Sequence, residues 1–119
     1  VFLIQHRLGR HWGFPKGHAE SNETPQQTGC RELKEETNLD LVRFLQVEPL
    51  LEQYQFVLDK RRVFKRVFYF VAEVSGEIIL QKKEIVDGIW LPIATAYEQL
   101  SHPEGRAILS QVEKILANI

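Results

Sequence analysis

The chain contains no methionine, a single cysteine, no long apolar run and almost no net charge. Each absence removes a class of protein. One thiol, Cys30, can neither close an internal disulfide nor build a thiolate metal site. No stretch approaches the roughly 20 apolar residues of a membrane span, and no signal-peptide pattern opens the sequence. Lys and Arg number 15 against 16 Asp and Glu, a net charge of -1, so the overall balance proposes neither nucleic acid nor membrane as a partner. A charged ligand must instead be met by local clusters. The sparse thiol usage suits a reducing cytoplasm. The 119 residues make one domain, long enough for a genuine core. Because Val1 already lies inside an apolar run and methionine is missing, the chain is expected to be a fragment that lacks its first strand, or part of it.

Val1 to His6 (VFLIQH) reads as a buried strand. The following segment is punctuated by Gly9, Gly13, Pro15 and Gly17 and reads as a loop. Thr24, Pro25 and Gln27 form a helix start, with an N-cap, a proline at the first helical position and a capping box. The helix is expected to run to about Thr37 and to end at Asn38. One or two strands are expected between Val42 and Val57, a hairpin turn at Asp59 to Arg62, and one central strand over Val63 to Val74. Glu77 to Leu80 and Gly88 to Leu91 read as two short strands, Ala94 to Leu100 as a short helix. A final helix opens at Pro103, with Ile108, Val112, Ile115, Leu116 and Ile119 on one face. The order implies an α/β layered fold, a mixed sheet between helices.

Chemistry gathers on the early helix. Glu32, Glu35 and Glu36 stand at i, i+3 and i+4, which puts them on one helical face with Cβ atoms about 5–6 Å apart. Like charges there repel. Either full solvation or a bound divalent cation relieves that repulsion, and magnesium is the hard, oxygen-preferring cation that meets carboxylates and phosphates together. Cys30, Leu33 and Thr37 fall on another face, suited to packing on the sheet, where Cys30 would be an inert buried thiol.

The spacing around these acids is specific. Five residues separate Gly17 from Glu23, seven more separate Glu23 from Arg31, and Arg31-Glu32-Leu33, Glu35-Glu36 and Leu39 follow. This pattern resembles the Nudix box, with Asn38 standing where the family has glycine; asparagine also visits the left-handed region. The resemblance implies the Nudix fold, an α/β/α sandwich around a mixed β-sheet, and hydrolysis of a nucleoside diphosphate linked to another moiety, with Mg²⁺ or Mn²⁺ as cofactor. By position it implies Glu35 and Glu36 as principal metal ligands with the Gly17 carbonyl, and Glu32 as a further ligand or the group that activates water. Glu84 matches a glutamate that completes the site in many members. Glu23 and Arg31 would hold the loop against the helix.

The stretch HWGFPKGHAE, His11 to Glu20, resembles more narrowly the asymmetrically cleaving diadenosine tetraphosphate hydrolases, as does the aromatic pair Tyr69-Phe70. That likeness implies a small-molecule nucleotide substrate cleaved to ATP and AMP, with His11, Lys16 and His18 on the phosphates and Tyr69 stacking on adenine. Neither nucleic acid nor membrane is an expected partner, and a monomer is expected. Trp12 and Phe14 either wedge the loop or form the pocket, and Trp90 is expected in the core. Members acting on 5′ ends of RNA carry a similar Trp-Gly-Phe-Pro-Lys-Gly run, and a Nudix module that binds nucleotide without turnover is a third reading.

Overall fold

The computed structural model describes residues 1–16 and 20–119. Strand β1 (Phe2–His6) runs between β2 (Trp12–Gly13) and β7 (Ile85–Trp90), antiparallel to both. Its alternation is read on two sides. Leu3 points into a cluster with Leu50, Ala96, Leu100, Ile108, Leu109 and Val112, while Phe2 and Ile4 point into a second with Leu39 and Ile85. A strand buried on both faces must be apolar at successive positions, which is why this segment reads as a continuous run. The first cluster packs β1 against helices α2 (Ile93–Gln99) and α3 (Pro103–Ala117); the second packs it toward helix α1 (Pro25–Thr37), whose Leu33 joins it.

Helix α1 has the expected boundaries. The Thr24 hydroxyl accepts from the Gln27 amide at 3.2 Å and the Gln27 side chain accepts from the Thr24 amide at 2.9 Å, so two orphan donors are satisfied reciprocally. Asn38 closes the helix in the left-handed region, φ 67°, and its side-chain amide donates to the Glu77 carbonyl at 3.1 Å. Asparagine thus replaces the glycine of the box and adds an anchor that glycine lacks.

Two strand expectations are corrected. Residues Val63 to Val74 do not form one strand. Strand β5 (Arg61–Tyr69) completes a hairpin with β4 (Leu50–Leu58), and after a break β6 (Ala72–Ser75) pairs with β3 (Asp40–Phe44) instead. An apolar run can serve two ladders, and composition alone does not mark the switch. Glu77 to Leu80 is not a strand. The Ile79 and Gln81 amides donate to the Thr37 and Glu36 carbonyls, at 3.0 and 3.1 Å. The segment satisfies the open C-terminal carbonyls of α1 instead of pairing in a sheet.

Four side chains also lie elsewhere than expected. Trp90 is 53% exposed, tilted against Phe2 at 5.3 Å, and is not core. Leu116 at the end of α3 and Ile119 beyond it are exposed, while Ile108 and Val112 are buried as expected and Leu109 joins them. Cys30 is only half-buried; Thr37 and Glu36 take the most buried positions of α1.

Gly88 faces Ile4 across the ladder, and a Cβ there would stand 2.6 Å from the Phe2 ring and 3.1 Å from Leu80. The β1–β7 approach therefore depends on a missing side chain. Gly88→Ala is expected to destabilise the fold by about 1–3 kcal/mol through overpacking, read as a lowered denaturant midpoint; an unchanged midpoint would show that Phe2 moves aside freely.

Candidate active site

The acids of α1 are not equivalent once folded. Arg31 lies at their centre. Its Nε and one terminal nitrogen clamp Glu23 at 2.7 and 3.0 Å, and its other terminal nitrogen reaches Glu32 at 2.8 Å and Glu35 at 3.1 Å. Glu23 also accepts from the Glu20 amide and the Thr28 hydroxyl. These donors, Arg31 first, hold the Glu23 carboxyl at about 2, and Glu23 in turn raises the Arg31 guanidinium. The bidentate fork pins the loop that precedes α1 to the helix, the supporting role expected of both residues.

Glu36 is the opposite case. It is 5% exposed and, among the described residues, its Oε2 has no hydrogen-bond partner. Burial first, then the nearby Glu32, Glu84 and Glu35, push its carboxyl up to about 8, offset in part by the Lys16 backbone. A buried carboxylate oxygen without a donor is costly. An oxygen-rich, partnerless position beside other carboxylates suits a hard divalent cation, so the donors present fit Mg²⁺ or Mn²⁺. Arg31 holds Glu32 and Glu35 in this geometry, and among the described residues no three ligands stand converged on one point. Gly17 and His18, expected as metal and substrate contacts, lie outside the described residues.

A cavity of about 300 Å³ is lined by His6, His11, Trp12, Phe14, Lys16, Glu52, Tyr54, Tyr69, His102 and Glu104, among others; Lys16, whose backbone acts on Glu36, links it to the acids of α1. A reciprocal pair of bonds builds it. The Trp12 amide donates to the Ser101 hydroxyl at 2.7 Å and the Ser101 amide to the Trp12 carbonyl at 3.3 Å, which draws the N-terminus of α3 against the loop. His6, His11 and His102 then form a continuous series of rings, with centroids 4.5 and 5.4 Å apart. Burial, the neighbouring imidazoles and Lys16 lower the His6 and His11 rings, against a smaller opposing pull from Glu84 on His6.

The structure thus places His11, Lys16 and Tyr69 in one cavity and Glu32, Glu35, Glu36 and Glu84 near one another. Trp12 and Phe14 belong to the cavity wall, with Phe14 meeting Tyr69 edge-on at 5.7 Å. The hairpin cations Lys60, Arg61, Arg62, Lys65 and Arg66 do not line it. Sequence reasoning missed His6, Glu52, Tyr54, His102 and Glu104. Alternation along β4 could have grouped Glu52 with Tyr54; only the register relates them to Tyr69.

The NUDIX domain model matches residues 1–112. The chain belongs to the Nudix family. Its Nudix relatives include the asymmetrical bis(5′-nucleosyl)-tetraphosphatase of Sus scrofa, 28% identical over 121 residues, 98% of this chain and 80% of that one. They also include the 8-oxo-(d)GTP phosphatase of Mycolicibacterium smegmatis, 29% identical over 103 residues, 87% of this chain and 30% of that one. The chain spans less than half the length of the mycobacterial relatives it matches. Its backbone resembles a C. elegans Ap4A hydrolase in a binary complex, with a TM-score of 0.76 and 23% identity over 99% of this chain and 86% of that one. That likeness establishes the Nudix fold. Among the described residues no helix is long and apolar enough to cross a membrane.

The Glu36 environment has a testable sign. A carboxyl raised from 4.5 to about 8 in the folded state contributes stability that is fully present below its unfolded value and lost as pH rises through about 8. In chelator, Glu36→Gln is therefore expected to gain thermal stability relative to wild type at pH 8 more than at pH 5. An equal difference at both pH values would show that Glu36 does not titrate in that window.

Proposed function

We propose that this Nudix domain hydrolyses a phosphoanhydride bond in a nucleoside polyphosphate, with the dinucleoside tetraphosphates, for example diadenosine tetraphosphate split to ATP and AMP, as the substrate class it suits best. The observation that carries the reading is the buried Glu36 oxygen, without a partner among the described residues and close to Glu32 and Glu84, linked through the Lys16 backbone to a cavity that holds His11, Lys16 and Tyr69. The tetraphosphatase relative supports the finer choice, since this chain covers most of its length.

A bound Mg²⁺ or Mn²⁺ would neutralise phosphate oxygens and make a bound water more acidic. The chain supplies the rest. Glu36, Glu35 and Glu32 would hold the cation, with the Gly17 carbonyl, on a helix that Arg31 keeps in place. Lys16 would place a point charge against the bridging phosphates and His11 a hydrogen-bond donor. Tyr69 and Phe14 would pack the nucleoside and exclude water from one side of it. Water attacks the phosphorus of the nucleoside that leaves as monophosphate, and its proton passes to Glu84. The bridging P–O bond breaks, and the other nucleotide departs with that oxygen. Electrostatics and positioning do the work in phosphoryl transfer, so a rigid helix of carboxylates beside a cationic loop is a sufficient apparatus.

A second reading, a nucleoside triphosphate pyrophosphohydrolase, is favoured by the 8-oxo-(d)GTP phosphatase relative. Product analysis separates the two. With diadenosine tetraphosphate in heavy-oxygen water, ATP and AMP are expected, with the label in AMP; turnover only of nucleoside triphosphates would support the second reading. Glu35→Gln is expected to keep the fold and lose about 100-fold or more in kcat. Wild-type turnover by this variant would remove Glu35 from the site. Lys16→Ala is expected to raise KM most for the longest polyphosphates, and equal losses on all chain lengths would assign Lys16 to loop support.

A further inference from the structure

One wall of the cavity holds a carboxylate that the proposed hydrolysis does not use. Glu52 is the third residue of β4 and is half-buried. Among the described residues it has no hydrogen bond and no ion pair, although Lys16 and His102 act on it from across the cavity. Burial raises its carboxyl, and Glu104 adds to that. An acceptor-only group shielded from water and lacking a donor is a destabilising arrangement unless a ligand supplies one.

The register says where such a ligand would lie. Leu50 faces Tyr69 and Glu52 faces Val67. Period-two alternation therefore puts Glu52 and Tyr69 on the same face of the hairpin as diagonal neighbours, about 7–8 Å apart between Cα atoms. Tyr54 extends that face and Phe14 closes on Tyr69 from the loop. A heteroaromatic base packed on the Tyr69 ring would present its edge, not its face, to the Glu52 carboxylate.

We propose that Glu52 is the base-specificity residue of this site, its two oxygens accepting from N–H donors on the edge of a purine packed against Tyr69. The inference rests on the reading of this cavity as a nucleotide site and goes further by ranking the bases. Guanine offers two adjacent donors, its ring N1–H and its 2-amino group, which match both oxygens of an ionised carboxylate. Adenine offers its 6-amino group beside an acceptor nitrogen, so it gains one bond and meets one repulsion. Unsubstituted purine offers no donor. The expected order is guanine, adenine, then purine, so guanine-bearing polyphosphates bind ahead of their adenine counterparts. In Glu52→Gln the side-chain amide presents one acceptor and one donor, the complement of the adenine edge. This substitution is expected to invert the order of guanine and adenine.

Calorimetric titration of the metal-free protein in chelator with GDP, ADP and purine riboside diphosphate tests this without turnover. Wild type is expected to bind GDP at least about ten-fold more tightly than the purine analogue. Glu52→Gln is expected to prefer ADP to GDP, and Glu52→Ala to bind all three alike, with thermal melts confirming that both variants fold. Binding that is blind to the base in wild type, or a ranking unmoved by Glu52→Gln, overturns the assignment and leaves the hydrolase reading standing. Wild-type protein that binds none of the nucleotides, yet still binds inorganic tripolyphosphate, overturns both the base assignment and the nucleoside part of the function.

Discussion

Charge repulsion among carboxylates, and the way one guanidinium contains it, is the constraint on which this structure turns. Arg31 contacts Glu23, Glu32 and Glu35 within about one helical turn and the preceding loop. It clamps Glu23 with two bonds and makes none to Glu36 among those described. The result is an uneven distribution: one acid held strongly ionised, two partly engaged by the guanidinium, and a fourth kept buried with one oxygen unpartnered among the described residues. Charge-assisted forks of this kind orient groups as much as they stabilise them. The same helix is therefore rigid at its loop end and electrostatically unsatisfied where a cation would bind.

The cavity follows a related logic on its other side. His6, His11, His102 and Lys16 gather donors and positive charge, while Glu52, Tyr54, Tyr69 and Glu104 gather acceptors and aromatic surface. These groups come from β1, the loop around β2, the β4–β5 hairpin and the start of α3, so no one element carries the recognition. The Trp12–Ser101 bonds and the narrow β1–β7 approach at Gly88 set the spacing among them. Packing far from the carboxylates thus determines how a polyphosphate and a base could be held at once.

Local features were legible before folding was known. The capping box of α1, its end at Asn38, the β4–β5 hairpin turn, β7 and the opening of α3 at Pro103 all depend on residues within a few positions of each other. The Glu23–Arg31 fork was also legible, because the spacing matched a known box. What failed were statements that needed a partner. Val63 to Val74 changes ladders midway because β3 and β4 compete for it, and Glu77 to Leu80 gives its amides to a helix end. Trp90 reads as core by type, yet the ladder places it at the surface against Phe2.

By itself, the sequence determined that acids would line one helical face and that a cationic, aromatic loop would precede it, since helical periodicity and chain adjacency are local properties. Only the tertiary structure decided which acid lost its water, because desolvation depends on what packs from elsewhere. It also decided that Glu52, an unremarked acid in an alternating strand, would share a cavity with Tyr69 and the histidine series. That meeting depends on a strand register and a helix position that no short stretch of the chain encodes.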